Sequence, residues 1–132
     1  MGIRHQEVTA DDLASIERAA TDYIEAWLTG DADRMADCLH PELTKRSLDD
    51  DAISRRAPVG AMTRADMVEG TRAGRGIHLP RGYEVTIEDA YRNIATARVD
   101  SARYVDFLHI ARFEDRWRIV SVLWEPKERD EH

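Results

Sequence analysis

Tyr83-Glu84-Val85-Thr86-Ile87, then Ala95-Thr96-Ala97-Arg98-Val99, then Val105-Asp106-Phe107-Leu108-His109-Ile110-Ala111-Arg112-Phe113, and finally Ile119-Val120-Ser121-Val122-Leu123-Trp124 decide the fold of this chain. Each run alternates with a period of two, the period at which an extended backbone turns successive side chains to opposite faces. Arg92-Asn93 and Glu114-Asp115-Arg116 separate runs as hairpin turns, and a break without Gly or Pro lies near Ser101-Ala102. Tyr83 to Glu125 therefore reads as antiparallel strands of one sheet. Val105, Phe107, His109, Ala111 and Phe113 share one face of the third strand, with Tyr104 and Asp106 opposite. Val120, Val122 and Trp124 share a face of the last strand, with Ile119 and Leu123 opposite.

Upstream the period changes. Thr9 followed by Asp12 has the form of a helix cap, and Leu13, Ile16, Ala20, Tyr23, Ile24 and Trp27 then recur at helical spacing up to Gly30, a C-cap residue. Asp31 caps a second, shorter helix carrying Ala32, Met35, Ala36 and Leu39. His40-Pro41 ends it, because the residue before proline disfavours helical dihedrals. Glu42 to Leu48 is expected to be a short strand and Asp49 to Gly60 an exposed loop. Thr63 and Asp66 repeat the cap for a third helix ending near Gly74, with Met62, Met67 and Val68 inward. Gly74, Gly76, Pro80 and Gly82 mark a further loop. Helices first and a meander of strands after them imply an α+β fold with helices on one side of an antiparallel sheet.

Composition bounds the function. With 132 residues the chain reads as one domain, 1–132, with an ordered core from about 9 to 126. An apolar share of 42%, a charged share of 34% and a net charge of −7 describe a folded, well-solvated protein. Its 19 basic residues are interleaved with 26 acidic ones, so no basic patch suits nucleic acid. The longest apolar stretch, near Ile119–Trp124, is too short to span a bilayer, and the start of the chain lacks a signal-peptide core. Cys38 is the single cysteine, which fits a reducing compartment. The expectation is a soluble, cytoplasmic protein without nucleic-acid or membrane partners.

No phosphate loop, CxxC pair, HExxH or GxSxG occurs, and none of the five histidines lies three or four residues from another, so neither a metal nor a cofactor is expected. His109 sits on an apolar strand face, where it is either a core residue with one partner or a general acid, base or hydrogen-bond donor. Tyr23 and Trp27, one helical turn apart, are either core or a phenol beside an indole wall. Lys45, if inward, needs an acidic partner or a ligand.

These residues in this order resemble the nuclear transport factor 2-like superfamily, in which three helices lie on a strongly curved antiparallel sheet, a cone-shaped, cystatin-like roll enclosing a pocket. Tyr23-Ile24-Glu25-Ala26-Trp27-Leu28-Thr29-Gly30-Asp31, Leu39-His40-Pro41-Glu42-Leu43 and the closing strand Trp117–Trp124 carry the resemblance. With Thr44-Lys45-Arg46 and Tyr104–His109 added, the chain is similar to the lumazine-binding and SnoaL-like groups of that superfamily. It resembles the ketosteroid isomerases more distantly. Tyr23 aligns with their pocket tyrosine, His109 falls where they place a protonated aspartate, and Ser47 or Arg46 stands where they have a base.

The resemblance implies a cavity faced by Val105, Phe107, His109, Val120, Val122 and Trp124, with Tyr104, Asp106, Ile119 and Leu123 turned away. Function then divides three ways. In a cofactor-independent isomerase, dehydratase or cyclase, Tyr23 and His109 would stabilise charge on oxygen. Lys45 or His40 would serve as base, and Trp27, Phe107, Val122, Trp124 and Val105 would line an apolar wall. In a non-catalytic protein the same wall would hold a flat, lumazine-like heteroaromatic. In a scaffold, a homodimer would form through the outer sheet face, with Tyr104, Asp106, Ile119 and Leu123 at the interface.

Overall fold

Thr9 and Asp12 do form a capping box: the Thr9 hydroxyl accepts from the Asp12 amide at 3.0 Å, and the Asp12 carboxylate accepts from the Thr9 amide at 3.0 Å. From that cap, α1 (Ala10–Thr29) buries Ile16, Ala20, Tyr23 and Ile24 along the predicted face, and also Ala19, Ala26 and Leu28. Gly30 closes it at φ 76°, a left-handed conformation that a residue without a Cβ adopts at no steric cost. Asp31 caps α2 (Ala32–Cys38), which buries Met35 and Cys38. A second capping box, Thr63 with Asp66, opens α3 (Arg64–Arg72), whose buried residues are Met67, Gly70 and Thr71. The structure, a computed structural model, describes residues 8–49, 53, 55–57 and 59–127. The reading of Met1–Glu7, and that of Asp50 to Pro58 for the most part, lies outside the described residues.

Among the described residues six strands form one open, curved sheet: β1 (Leu39–Ser47) and β2 (Val59–Met62), which lie between α2 and α3, then β3 (Tyr83–Tyr91), β4 (Ile94–Ser101), β5 (Tyr104–Phe113) and β6 (Arg116–Pro126). Their spatial order is β2-β1-β6-β5-β4-β3, so β2 and β3 are the edges. The architecture is α+β with three helices on the sheet, as expected from the element order. Two details differ from the sequence expectation. β2 falls partly in the stretch read as loop, because four residues including Gly60 are too few to show a period. β1 begins at Leu39 and runs parallel to β6, with Lys45 opposite Val122 and Ser47 opposite Trp124, whereas the other pairings are antiparallel.

The faces of β5 require a correction. Tyr104, Asp106, Leu108 and Ile110 point to the helices; Asp106, Leu108 and Ile110 are fully buried. Val105, Phe107 and His109 point outward, with Phe107 49% exposed. On β6 a bulge opposite His109 and Ile110 puts Ile119 and Ser121 against consecutive residues of β5, leaving Val120 as the extra residue. An inserted residue reverses the alternation. Ile119 and Val122, three apart, are therefore both buried, and Leu123 is 47% exposed. A strict period of two had put Ile119 and Val122 on opposite sides. A similar bulge leaves an extra residue on β3 between Ile87 and Asp89, and in the β1–β2 pairing the register shifts between Lys45 and Ser47 with the extra residue on β2.

Asp12 ties the two layers together. Its other oxygen accepts from the Arg112 guanidinium at 3.1 Å and the Trp117 indole at 3.3 Å, joining the start of α1 to the β5–β6 hairpin. The Thr9 amide is the main cause holding the Asp12 carboxyl below its ordinary value, against the opposing effect of burial. Asp12→Ala is expected to cost about 2 kcal/mol, the upper end for a lost cap. A depressed acid contributes stability above its unfolded pKa and loses it below. The difference between wild type and variant in urea unfolding should therefore hold at neutral pH and shrink as the pH drops below about 3.8. A difference that stays flat into acid would count against it.

Candidate functional site

Asp106 is the one buried acidic side chain among the described residues, at 3% exposure. It stands on the inner face of β5 with Leu108 and Ile110 beyond it. A carboxylate taken out of water needs partners, and two side chains supply them. The Tyr23 phenol on α1 donates to Asp106 Oδ2 at 2.7 Å. The Lys45 ammonium on β1 donates to Tyr23 Oη, also at 2.7 Å. The phenol thus bridges a buried acid and a half-buried base.

Aromatic rings surround the Lys45 end. Nζ lies 5.1 Å from the Tyr23 ring centre, 5.5 Å from Trp124 and 5.9 Å from Trp27, a distance at which ring faces attract a cation. Tyr104 meets Trp124 edge to face at 5.1 Å. Trp27, Tyr104 and Trp124 are only partly buried and pack against the core, with Met62 and Val85 also on that boundary. One side of the cluster is therefore an apolar, aromatic surface and the other a sealed core.

Burial shapes the titration of all three groups. Desolvation raises the Asp106 carboxyl above its ordinary value, opposed by the charge on Lys45 and the bond from Tyr23. Desolvation lowers the Lys45 ammonium, opposed by Asp106. The Tyr23 phenol is pushed well up, first by desolvation and then by the Asp106 charge, so it keeps its proton. Acid and amine are each pushed toward their neutral forms, and the phenol between them can pass a proton either way. Two residues beyond Tyr23 on α1, Glu25 is bonded by the Tyr83 hydroxyl and engaged at 2.8 Å by Arg34, which also engages Asp22. That cluster anchors α2 and β3 to α1.

The structure thus brings Tyr23, Lys45, Trp27 and Trp124 together, and Val122 lies buried on the same face of β6. It does not bring His109 or His40 to them. His109, expected to face a cavity with Tyr23, is exposed on the outer face, where Nδ1 is 2.9 Å from Ser121 Oγ across the strand pair. His40 stacks on Phe113 with ring centres 4.5 Å apart and accepts the Glu42 amide at 3.0 Å. Val105 and Phe107 also leave the wall, being on the outer face. Asp106 was the residue the sequence reading missed. Both faces of β5 carry apolar residues, and the aromatic one seemed the more buried. The alternation Asp106, Leu108, Ile110, with two large aliphatics, was the available sign of the true inner face.

Trp27 is held by close backbone packing. A Cβ built on Gly76 would lie 2.5 Å from Cδ1 and Nε1 of the indole and 2.6 Å from the Trp27 carbonyl oxygen. Gly70 approaches the far edge of the same ring, where a Cβ would sit 3.3 Å away. Gly76→Ala should therefore push the loop off the indole. The expected result is a red-shifted tryptophan emission and a loss of about 1–3 kcal/mol, the usual cost of overpacking. An unchanged spectrum and melting curve would contradict that contact.

Among curated proteins none matches this chain in sequence. Solved structures do match in shape. An NTF-2 like protein of unknown function from Silicibacter pomeroyi DSS-3 superposes with a TM-score of 0.71 at 17% identity, covering 91% of this chain and 99% of that one. An NTF2-like protein of unknown function from Shewanella baltica OS155 gives 0.69 at 17%, over 92% and 98%. A ketosteroid isomerase-like protein from Erwinia carotovora atroseptica SCRI1043 gives 0.62 at 13%, over 92% and 100%. At such identities the likeness establishes the fold. The family described as "Putative lumazine-binding" matches residues 11–125, from the second residue of α1 to the last turn of β6, and the chain belongs to that family.

Proposed function

We propose that this protein binds a flat, carbonyl-bearing small molecule against the aromatic side of the Lys45 cluster and moves a proton next to that carbonyl, in a cofactor-independent isomerisation, dehydration or cyclisation. The observation that carries the reading is the buried chain Lys45–Tyr23–Asp106, with 2.7 Å at each link. When the ligand binds, the Tyr23 phenol turns its one proton from Asp106 to the carbonyl oxygen and stabilises the negative charge that develops there. Lys45, as the neutral amine favoured by its surroundings, takes the proton from the adjacent carbon. Asp106 returns a proton to Tyr23. Lys45 is the base that the ketosteroid isomerase comparison lacked at Ser47, and Asp106 takes the part first given to His109. The family description and the partly exposed Trp27 and Trp124 support a flat, aromatic-like ligand. A panel of cyclic enones, hydroxyketones and pteridine-like heteroaromatics tests the reading by thermal shift, with product detection by mass spectrometry. Stabilisation with product supports catalysis, stabilisation by unreacted ligand leaves a binding protein, and neither response to any member sinks both.

A cytoplasmic setting is part of the same proposal; the lone, buried Cys38, its thiol pushed up to about 12 by desolvation, is inert and needs no oxidising compartment. We also propose a homodimer through the outer sheet face, with a corrected set of residues. Tyr104, Asp106 and Ile119 are internal, whereas Phe107 and Leu123 are direct cross-strand partners and both half exposed. Leu123→Glu with Phe107→Glu is expected to convert a dimer to a monomer in sedimentation velocity; a wild-type chain that sediments as a monomer contradicts the proposal.

A further inference from the structure

We propose that Lys45 is a covalent nucleophile: its amine condenses with the carbonyl carbon of an aldehyde or unhindered ketone ligand to form an imine, with Tyr23 and Asp106 handling the water that leaves. This deepens the function proposed above and rests on the same site.

A choice of residue first suggests it. Of the 19 basic residues in the chain, 17 are arginine, and lysine occurs only at Lys45 and Lys127. A cation needed merely to neutralise Asp106 could be arginine, whose planar fork pairs with a carboxylate at two points and cannot lose its proton. The basic side chain seated among the rings of Tyr23, Trp27 and Trp124 is instead one that becomes a nucleophile once deprotonated. Lys127 is its contrast: it is exposed and paired with Asp100 at 2.6 Å.

Geometry supplies the rest. The nitrogen sits among the rings of Tyr23, Trp27 and Trp124, the setting in which a desolvated amine is held neutral. The Tyr23 phenol accepts from that nitrogen at 2.7 Å and donates in turn to Asp106 at 2.7 Å, a continuous path along which a proton can move once Asp106 has taken one up. Imine formation needs such a relay. The amine lone pair forms the C–N bond as the carbonyl π pair moves to oxygen, which takes a proton from Tyr23, refilled from Asp106. The nitrogen loses a proton back to the carboxylate, giving a neutral carbinolamine. A second protonation through Tyr23 lets the hydroxyl leave as water while nitrogen and carbon form the double bond, giving the protonated imine and the Asp106 carboxylate, and return of the nitrogen's proton to that carboxylate leaves the neutral imine. One carbonyl compound and one amine become one imine and one water, with no oxidant or reductant. The imine, once protonated, draws electrons from the adjacent carbon more strongly than a carbonyl does, so the same proton transfer becomes easier.

The test uses the whole wild-type chain with 2-naphthaldehyde, a flat apolar aldehyde, and cyanoborohydride to reduce any imine, followed by proteolysis and mass spectrometry of the peptides bearing Lys45 and Lys127. The expected result is a reduced naphthylmethyl adduct on Lys45 that forms at least ~100-fold faster than on Lys127, the range of a positioned acid–base relay. Tyr23→Phe should slow labelling of Lys45 by about 100-fold and leave Lys127 unchanged. Because Lys127 reports in the same sample, a misfolded variant is recognised by its circular dichroism without confusing the wild-type comparison. Labelling of Lys45 no faster than Lys127 overturns the proposal. If naphthaldehyde quenches tryptophan emission and raises the melting temperature without marking Lys45, the covalent step is overturned while the proposed ligand site stands.

Discussion

Tyr23→Phe is expected to lower turnover of any carbonyl substrate by about 100- to 1,000-fold, the loss seen when one preorganised donor to a developing oxyanion is removed. The phenol is hydrogen-bonded to both Lys45 and Asp106, so its removal cuts the proton path at its centre. The ring stays, and with it the apolar packing of a side chain that is 3% exposed. What the fold loses is one buried hydrogen-bonding group with two partners, about 1–3 kcal/mol. Typical domains hold 5–15 kcal/mol, so the variant should remain folded. A variant that keeps full turnover would remove Tyr23 from the chemistry, and one that unfolds would make the phenol structural. The informative pattern is a folded variant with KM little changed and kcat reduced, because the donor acts where charge develops.

The largest effect on stability is expected at Asp106. Asp106→Leu leaves the Tyr23 phenol without its acceptor and the charged form of Lys45 without a countercharge, a loss of about 3–5 kcal/mol. Adding Lys45→Met should recover most of it, because an apolar pair of similar volume avoids desolvating two ions. The pH signs point the same way. Asp106 has a raised folded pKa, so its contribution is present below about 3.8 and lost as the pH rises through the folded value. Lys45 has a lowered one, so its contribution is present above about 10.5 and lost as the pH falls through the folded value. Near neutrality both groups therefore weigh against the fold. A pair retained at such a cost is better explained by chemistry than by stability. Urea unfolding of the two single variants and the double variant gives the coupling directly, and additive losses would refute it.

The outer face of β5 provides a control for both experiments. His109 and Phe107 stand there beside Ser121 and Leu123, with the Arg98 guanidinium 5.9 Å from the Phe107 ring. Substitutions at His109 should leave the Lys45–Tyr23–Asp106 chain untouched, whereas the family resemblance implied that His109 faces the cavity with Tyr23.

Where sequence reasoning held and where it failed follows from the range of the interactions involved. Capping at Thr9, Asp31 and Thr63, the apolar stripe from Ile16 to Ile24, the stop at Gly30 and the period of two after Tyr83 are written in neighbours a few residues apart. Local backbone sterics and hydrogen bonds decide such features, so the α+β order could be read from the chain alone. Which face of β5 is inner could not. Phe107 and His109 are as plausible inside as Leu108 and Ile110, and only packing against α1 chooses between them. The reversal at Val120 depends on pairing with His109 and Ile110 on another strand, and the parallel seat of β1 on β6 depends on how the helices deliver it. Asp106 meets Tyr23 across 83 residues of sequence, and Tyr23 meets Lys45 across 22. The four inner and outer runs from Tyr83 to Glu125 were thus determined as strands by their own alternation. Their handedness toward the core, and with it the acid that completes the site, was decided by the tertiary fold, because burial is a property of what a strand packs against.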